Sequence, residues 1–251
     1  MMRKFTKTTT LAALAGLALA ASSAHAATIY SETFSGTGDL NGTTPDTGAN
    51  TWVASTDWNA DWNADGSITG STSGTDDDSA FLSFAPTSGN VYTLSATVTQ
   101  PTSGFSTSAW VGLGFTASAA TGSSGGTGFY SAPNNASPWM LYRVNSEVKT
   151  YAGSGTAGSA IEGNYGGTIT LSIELDTTAA QWTAEWFVNG SSVRAEAYST
   201  NPTITHVGFG REDGASSTLT SFSLTAIPEP GAHALLAGLT GLVFVMLRRR
   251  R

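Results

Sequence analysis

Residues 168–176, Thr-Ile-Thr-Leu-Ser-Ile-Glu-Leu-Asp, alternate between polar and apolar without a break. Ile169, Leu171, Ile173 and Leu175 share one face of an extended strand and no single face of a helix. Residues 91–99 repeat the pattern, with Tyr92, Leu94, Ala96 and Val98 together. Residues 181–188 do so again with Trp182, Ala184, Trp186 and Val188. Asn189-Gly190 follows, and then 192–199 with Val193, Ala195 and Ala197 aligned, which predicts a hairpin whose loop is two residues or longer. Further strands are predicted at 29–34, 52–54, 81–84, 110–116, 140–144, 148–151, 205–210 and 218–226. Between the two chain ends no segment keeps a helical period with caps. This patterning excludes helical bundles and parallel α/β folds.

A dozen or so strands in about 200 residues fits one domain, an all-β, two-sheet antiparallel jelly-roll sandwich. An immunoglobulin-like sandwich is the rival, but its usual length of about 100 residues is too short for this region. The Gly/Ser-rich stretch 117–128 reads as a surface loop and not a domain boundary. The chain has no cysteine, so disulfides, thiolate metal sites and cysteine nucleophiles are excluded. The order of features is similar to concanavalin A-like and laminin G-like domains. Glu32-Thr33-Phe34-Ser35-Gly36 is followed by Leu40-Asn41-Gly42-Thr43-Thr44-Pro45-Asp46 and Trp52. Leu175-Asp176-Thr177-Thr178, then 182–188 and Asn189-Gly190, come late in the chain. That resemblance covers most of 29–226 and implies a jelly roll.

Both ends read as targeting segments. Arg3, Lys4 and Lys7 precede an apolar run at 11–21, and Ala24-His25-Ala26 is a small-x-small cleavage site. Residues 1–26 are therefore read as a signal peptide with a helical apolar core, and the run is well short of the ~20 residues that span a bilayer. An uncleaved anchor is the alternative. At the other end, residues 232–247 are apolar, and Arg248 to Arg251 close the chain. Sixteen residues of helix would extend roughly 24 Å, a short transmembrane helix with its arginines on the cytoplasmic side. Pro228-Glu229-Pro230 stands just before it. Pro-Glu-Pro, a short apolar helix and a terminal arginine cluster together resemble the PEP-CTERM sorting signal, carried by exported proteins of many Gram-negative bacteria that make extracellular polysaccharide. The resemblance covers 227–251. It implies recognition by a membrane-embedded exosortase, removal of the tail, and release or attachment at the cell surface, with Pro228, Glu229 and Pro230 as signal residues. An ordinary proline-containing linker before a permanent anchor is the alternative.

The charge distribution narrows the partners. Residues 27–226 hold four basic and 17 acidic side chains, a net −13. Nucleic acid is repelled and anionic lipid surfaces are disfavoured, since binding them needs clustered Lys and Arg. Neutral glycans and cations remain open. Asp57-Trp-Asn-Ala repeats as Asp61-Trp-Asn-Ala and ends in Asp65-Gly66. Asp61, Asn63, Asp65 and Gly66 match the opening half of a D-x-N-x-D-G calcium loop, in which alternate oxygens wrap the ion. The closing position is Thr72 instead of Glu, so a polar turn entering a strand at Ile68 is the competing reading. No motif requires a cofactor, and calcium is the one ion suggested. Trp58 and Trp62 flank the repeat, and Tyr130, Trp139 and Tyr142 lie near Pro133 and Pro138. Each of these rings either stacks on sugar or caps the core.

Catalytic patterns are incomplete. Jelly-roll glycosidases carry E-x-D-x-x-E on one strand, which lines up carboxylates beside the scissile bond. Glu174-Leu175-Asp176 begins that pattern, but Ala179 occupies the closing position. Only His206 remains between the ends to serve a Ser-His-Asp triad, and it falls within a strand pattern. The sequence therefore predicts an exported, non-catalytic surface or matrix protein that binds extracellular polysaccharide or is structural. A glycoside hydrolase or lyase of the jelly-roll class is the alternative.

Overall fold

A computed structural model describes residues 25–55, 62–70, 78–102, 109–119, 129, 137–153, 160–212 and 215–229. Trp58, Asp61, Tyr130, Pro230 and the predicted signal and transmembrane helices lie outside these residues. Ala27–Ala226 form the body, while Met1–Ala26 and Ile227–Arg251 group as a second unit. Among the described residues there are strands and no helix. In chain order they are β1 Ala27–Glu32, β2 Gly38–Asp39, β3 Val53–Ala54, β4 Trp62–Ala64, β5 Ile68–Gly70, β6 Asp78–Ser83, β7 Asn90–Thr99 and β8 Trp110–Thr116. The second half supplies β9 Trp139–Arg143, β10 Glu147–Tyr151, β11 Ala160–Asn164, β12 Thr168–Asp176, β13 Thr183–Val188, β14 Ser191–Ala197, β15 His206–Glu212 and β16 Thr218–Pro228.

The strands form two sheets, consistent with the jelly-roll expectation. A nine-stranded sheet runs β14-β13-β12-β7-β16-β5-β4-β2, with β1 also paired to β16. A seven-stranded sheet runs β11-β10-β9-β8-β15-β6-β3. Every pair whose register is described is antiparallel, and β12 against β7 is in step over its whole length, from Thr168↔Thr99 to Asp176↔Val91.

The core lies between the sheets. Leu94, Ala96, Val98, Leu171, Ile173, Leu175, Ala184 and Trp186 from one side are buried against Leu82, Val111, Leu113, Met140, Val207 and Phe209 from the other. The Trp186 indole N–H crosses the core to the Trp139 carbonyl at 3.0 Å. At one end of the interior, Arg211 forms a salt bridge with Asp78, and both are buried.

The two sheets differ on their outer sides. On the seven-stranded sheet, Phe81, Trp110, Trp139, Leu141 and Tyr151 point away from the main core and form a second apolar cluster with Phe129. Trp139 stacks on Tyr151 with ring centroids 3.9 Å apart, and Phe129 stacks on Trp139. Glycines make room for this layer. Gly208 sits opposite Phe81, and an added Cβ there would come within 2.7 Å of the Phe81 ring. Buried on both faces, β8 reads as an unbroken run of buried residues.

The β13–β14 hairpin corrects one sequence expectation. Asn189 and Gly190 both take left-handed backbone angles, and Val188 pairs with Ser191, so the turn has two residues. A bulge then shifts the register, placing Trp186 opposite Arg194 and Ala184 opposite Glu196. Arg194 and Glu196 therefore share the face of the core residues, while Ala195 and Ala197 are exposed. The expected apolar face of this strand is displaced because a bulge adds one residue to the count. Arg194 is held by the Trp186 ring at 5.2 Å and by Glu196 at 3.1 Å.

Candidate functional site

The alternation that builds the core also builds the opposite face of the nine-stranded sheet. On β7 it carries Thr93, Ser95, Thr97 and Thr99, and on β12 Thr168, Thr170 and Ser172. Ser221, Ser223 and Thr225 of β16 alternate with buried Phe222, Leu224 and Ala226 in the same way. These hydroxyls lie at strand spacing, about 4.8 Å across and about 7 Å along. Thr97 Oγ1 and Thr170 Oγ1 are 3.5 Å apart. Most of these side chains are half-buried, and the face bears no Lys or Arg among the described residues.

Carboxylates and one ring interrupt the hydroxyls. Glu174 pairs directly with Glu185 across β12 and β13, and with Thr93 on β7. One step along, Ser172 pairs with Phe187 and with Ser95. Asp176 follows Glu174 on the same face. Burial raises the Glu174 carboxyl above the ordinary carboxylate range, and the charges of Glu185 and Asp176 push it further. Glu185 accepts a hydrogen bond from Ser192 Oγ. Directly opposed residues have Cβ atoms about 4.5–5.5 Å apart. Sequence reading singles out Glu174 and Asp176, leaves Glu185 with Glu147, Glu162 and Glu196 as acids whose spatial partners it cannot give, and misses Phe187. Period two alone puts Glu185 and Phe187 together, opposite Trp186, but only the β12–β13 register sets Glu185 against Glu174.

A cavity of about 210 Å³ lies elsewhere, lined by Glu32, Asp39 and Asp46 among others. Glu32 is buried and accepts a hydrogen bond from the Phe34 amide at 2.7 Å. Burial raises its carboxyl, and nearby Asp46 adds to the rise. Asp46 accepts from the Thr33 amide at 2.9 Å and from its hydroxyl at 2.6 Å. The cavity is smaller than the roughly 300–1,000 Å³ of typical ligand pockets.

Of the aromatic residues proposed from sequence, Trp139 and Tyr142 are described with their side chains. Trp139 and Tyr142 have no exposed surface, so neither offers a ring face to a sugar. Each packs in an apolar layer and has its polar atom satisfied internally. The Trp139 indole donates to the Gly153 carbonyl at 2.8 Å, and the Tyr142 hydroxyl to the Tyr165 carbonyl at 2.9 Å. Of Trp62 and Asn63 only the backbone is described. Trp62 pairs with Gly70, and Asn63 pairs with both Asp39 and Thr69. Asp65, Gly66 and Ser67 make the turn of the β4–β5 hairpin, and the Gly66 amide bonds to the Phe34 carbonyl. This stretch has the backbone of a hairpin turn, and Asp61, the first residue of the proposed calcium loop, lies outside the described residues. Among the described residues no group of three or more acidic or histidine side chains is gathered for a metal. His206 hydrogen-bonds through Nδ1 to the Thr205 hydroxyl at 2.8 Å, and burial lowers its proton affinity.

No protein-family model matches the chain, and no curated protein matches it. Solved structures do. An endo-1,3-beta-glucanase from Streptomyces sioyaensis superposes with a TM-score of 0.52 at 11% identity, covering 81% of this chain and 97% of that one. The potassium-bound carbohydrate recognition domain of Emp46p gives 0.49 at 12% identity, covering 69% and 87%. The carbohydrate-binding module CBM66 from Bacillus subtilis gives 0.40 at 10%, covering 70% and 91%. The likeness is one of fold. The likeness to the glucanase shows that fold to be an all-β sandwich of two antiparallel sheets.

Proposed function

We propose that this is an exported surface or extracellular-matrix protein whose sandwich binds polysaccharide without cleaving it. In this reading residues 1–26 direct export, and the segment 227–251, with Pro228-Glu229-Pro230, is the substrate of an exosortase. The binding reading is carried by the outer face of the nine-stranded sheet. A broad field of Ser and Thr hydroxyls can both donate to and accept from a polyhydroxyl chain. The −13 charge of the body disfavours polyanions. A polysaccharide-binding screen of the mature chain, run with calcium and again with a chelator, tests the reading. Retention on at least one polysaccharide is expected. No retention on any of a broad panel leaves a purely structural role. Loss of retention on chelation assigns a part to calcium.

A second reading, glycoside hydrolysis, is favoured by the Glu174–Glu185 pair. Retaining glycosidases hold their two carboxyls about 5–5.5 Å apart, a separation that directly opposed residues can reach. The raised proton affinity of Glu174 suits a general acid. New reducing ends released from a bound polysaccharide, and abolished by either Glu174→Gln or Glu185→Gln, would establish that reading over the first.

A further inference from the structure

Within the hydroxyl face, one strip differs from its surroundings in two ways. Phe187 is a half-buried ring among polar side chains. Glu174 and Glu185 stand directly opposed, and no hydrogen-bond donor or cation reaches Glu174 among the described residues. Ser172, Ser95 and Thr93 continue the same two cross-strand rows onto β12 and β7. Like charges directly opposed on a sheet are destabilising, so the fold carries this pair at a cost.

We propose that Phe187, Glu185, Glu174, Ser172, Ser95 and Thr93 form a sugar-binding strip that takes neutral glycan chains and rejects anionic ones. The proposal rests on the glycan-binding reading and names its ligand class. A pyranose ring has an apolar face and a rim of hydroxyl donors. Phe187 matches the first by stacking, and the carboxylates, which only accept hydrogen bonds, match the second. Sugar hydroxyls thus supply the donors that Glu174 lacks. A uronate or sulfate group on the strip would instead meet two carboxylates with no basic residue on the face to offset them.

The test uses the mature exported chain in affinity electrophoresis, through gels containing a neutral β-1,3-glucan, dextran or polygalacturonate. Wild-type protein is retarded by a neutral glucan and not by polygalacturonate. Phe187→Ala weakens neutral binding about tenfold or more, and Phe187→Tyr restores it. The Glu174→Gln, Glu185→Gln double variant loses neutral binding. All variants change solvent-facing groups, and an unchanged circular dichroism spectrum checks that each is folded. If wild type binds a neutral glucan and these variants bind equally well, the strip is overturned and the glycan-binding reading stands. Retardation of wild type by polygalacturonate as strong as by neutral glucan overturns the selectivity. A calcium-dependent thermal shift without glycan, abolished by the double variant, replaces the sugar with a cation and overturns the strip. If wild type binds none of the polysaccharides, including those of the broad screen, the glycan-binding reading fails with it.

Discussion

Glu174 shows how a single side chain reports on the face it occupies. Its carboxyl is raised by burial and by two neighbouring acids. Between the ordinary carboxylate value and the raised one, the folded chain holds a proton that the unfolded chain has released. Ionisation above that window therefore lowers stability, and stability is regained as pH falls through it. Glu174→Gln is expected to raise the melting temperature at pH 7, by an amount within the roughly 0.2–1 kcal/mol of a cross-strand pair. The gain should vanish near pH 4, where thermal melts of the two proteins should converge. Arg211 and Asp78 pose the opposite case, a buried ion pair. Removing one partner leaves a buried charge uncompensated, so Arg211→Met is expected to cost about 3–5 kcal/mol in urea unfolding. His206 adds a third dependence. Burial lowers its proton affinity, so its contribution to stability is present at neutral pH and is lost as pH falls below the ordinary histidine value.

Among the strands, β7, β12 and β13 behave as their alternation requires, with an apolar face in the core and an outer face that is polar apart from Val91 and Phe187. Trp186 on β13 fills the core and donates to the Trp139 carbonyl. Trp186→Ala is expected to destabilise by about 3–5 kcal/mol, through lost burial and the cavity left behind. The seven-stranded sheet depends instead on close approach. Gly208→Ala would drive a methyl group into the Ala80 carbonyl and the Phe81 ring, at a cost of about 1–3 kcal/mol by chemical unfolding. The β14 face was misjudged from sequence for a physical reason. Its small alanines mark no face strongly, and the bulge beside Trp186 shifts the count by one. Trp139 and Tyr142 were open to two readings because an aromatic residue beside prolines suits a binding loop and a buried layer equally well.

At the scale of the whole molecule, the pairing of β1 with β16 sets Ala27 directly opposite Ala226. The two ends of the body thus lie side by side, and Ile227, Pro228 and Glu229 are exposed. An extended, exposed junction is accessible to a processing enzyme, and Pro228 cannot donate to a neighbouring strand. Under the proposed sorting reading, intact mass of the processed chain is expected to show an N-terminus at Ala27 and loss of the residues after the Pro-Glu-Pro motif. A mass that retains the arginine tail would remove the sorting reading. Much of this protein was legible in one dimension. Period-two alternation determined that the body is all-β and which residues of β7, β12 and β13 enter the core, because strand geometry sends successive side chains to opposite sides. Composition determined the acidic charge and the absence of cysteine chemistry. Tertiary structure alone decided which strands are neighbours, and with them the opposition of Glu174 and Glu185, the bulge on β14 and the second aromatic layer over β8 and β9. Register between strands distant in the chain depends on how whole faces pack, and no local pattern encodes it.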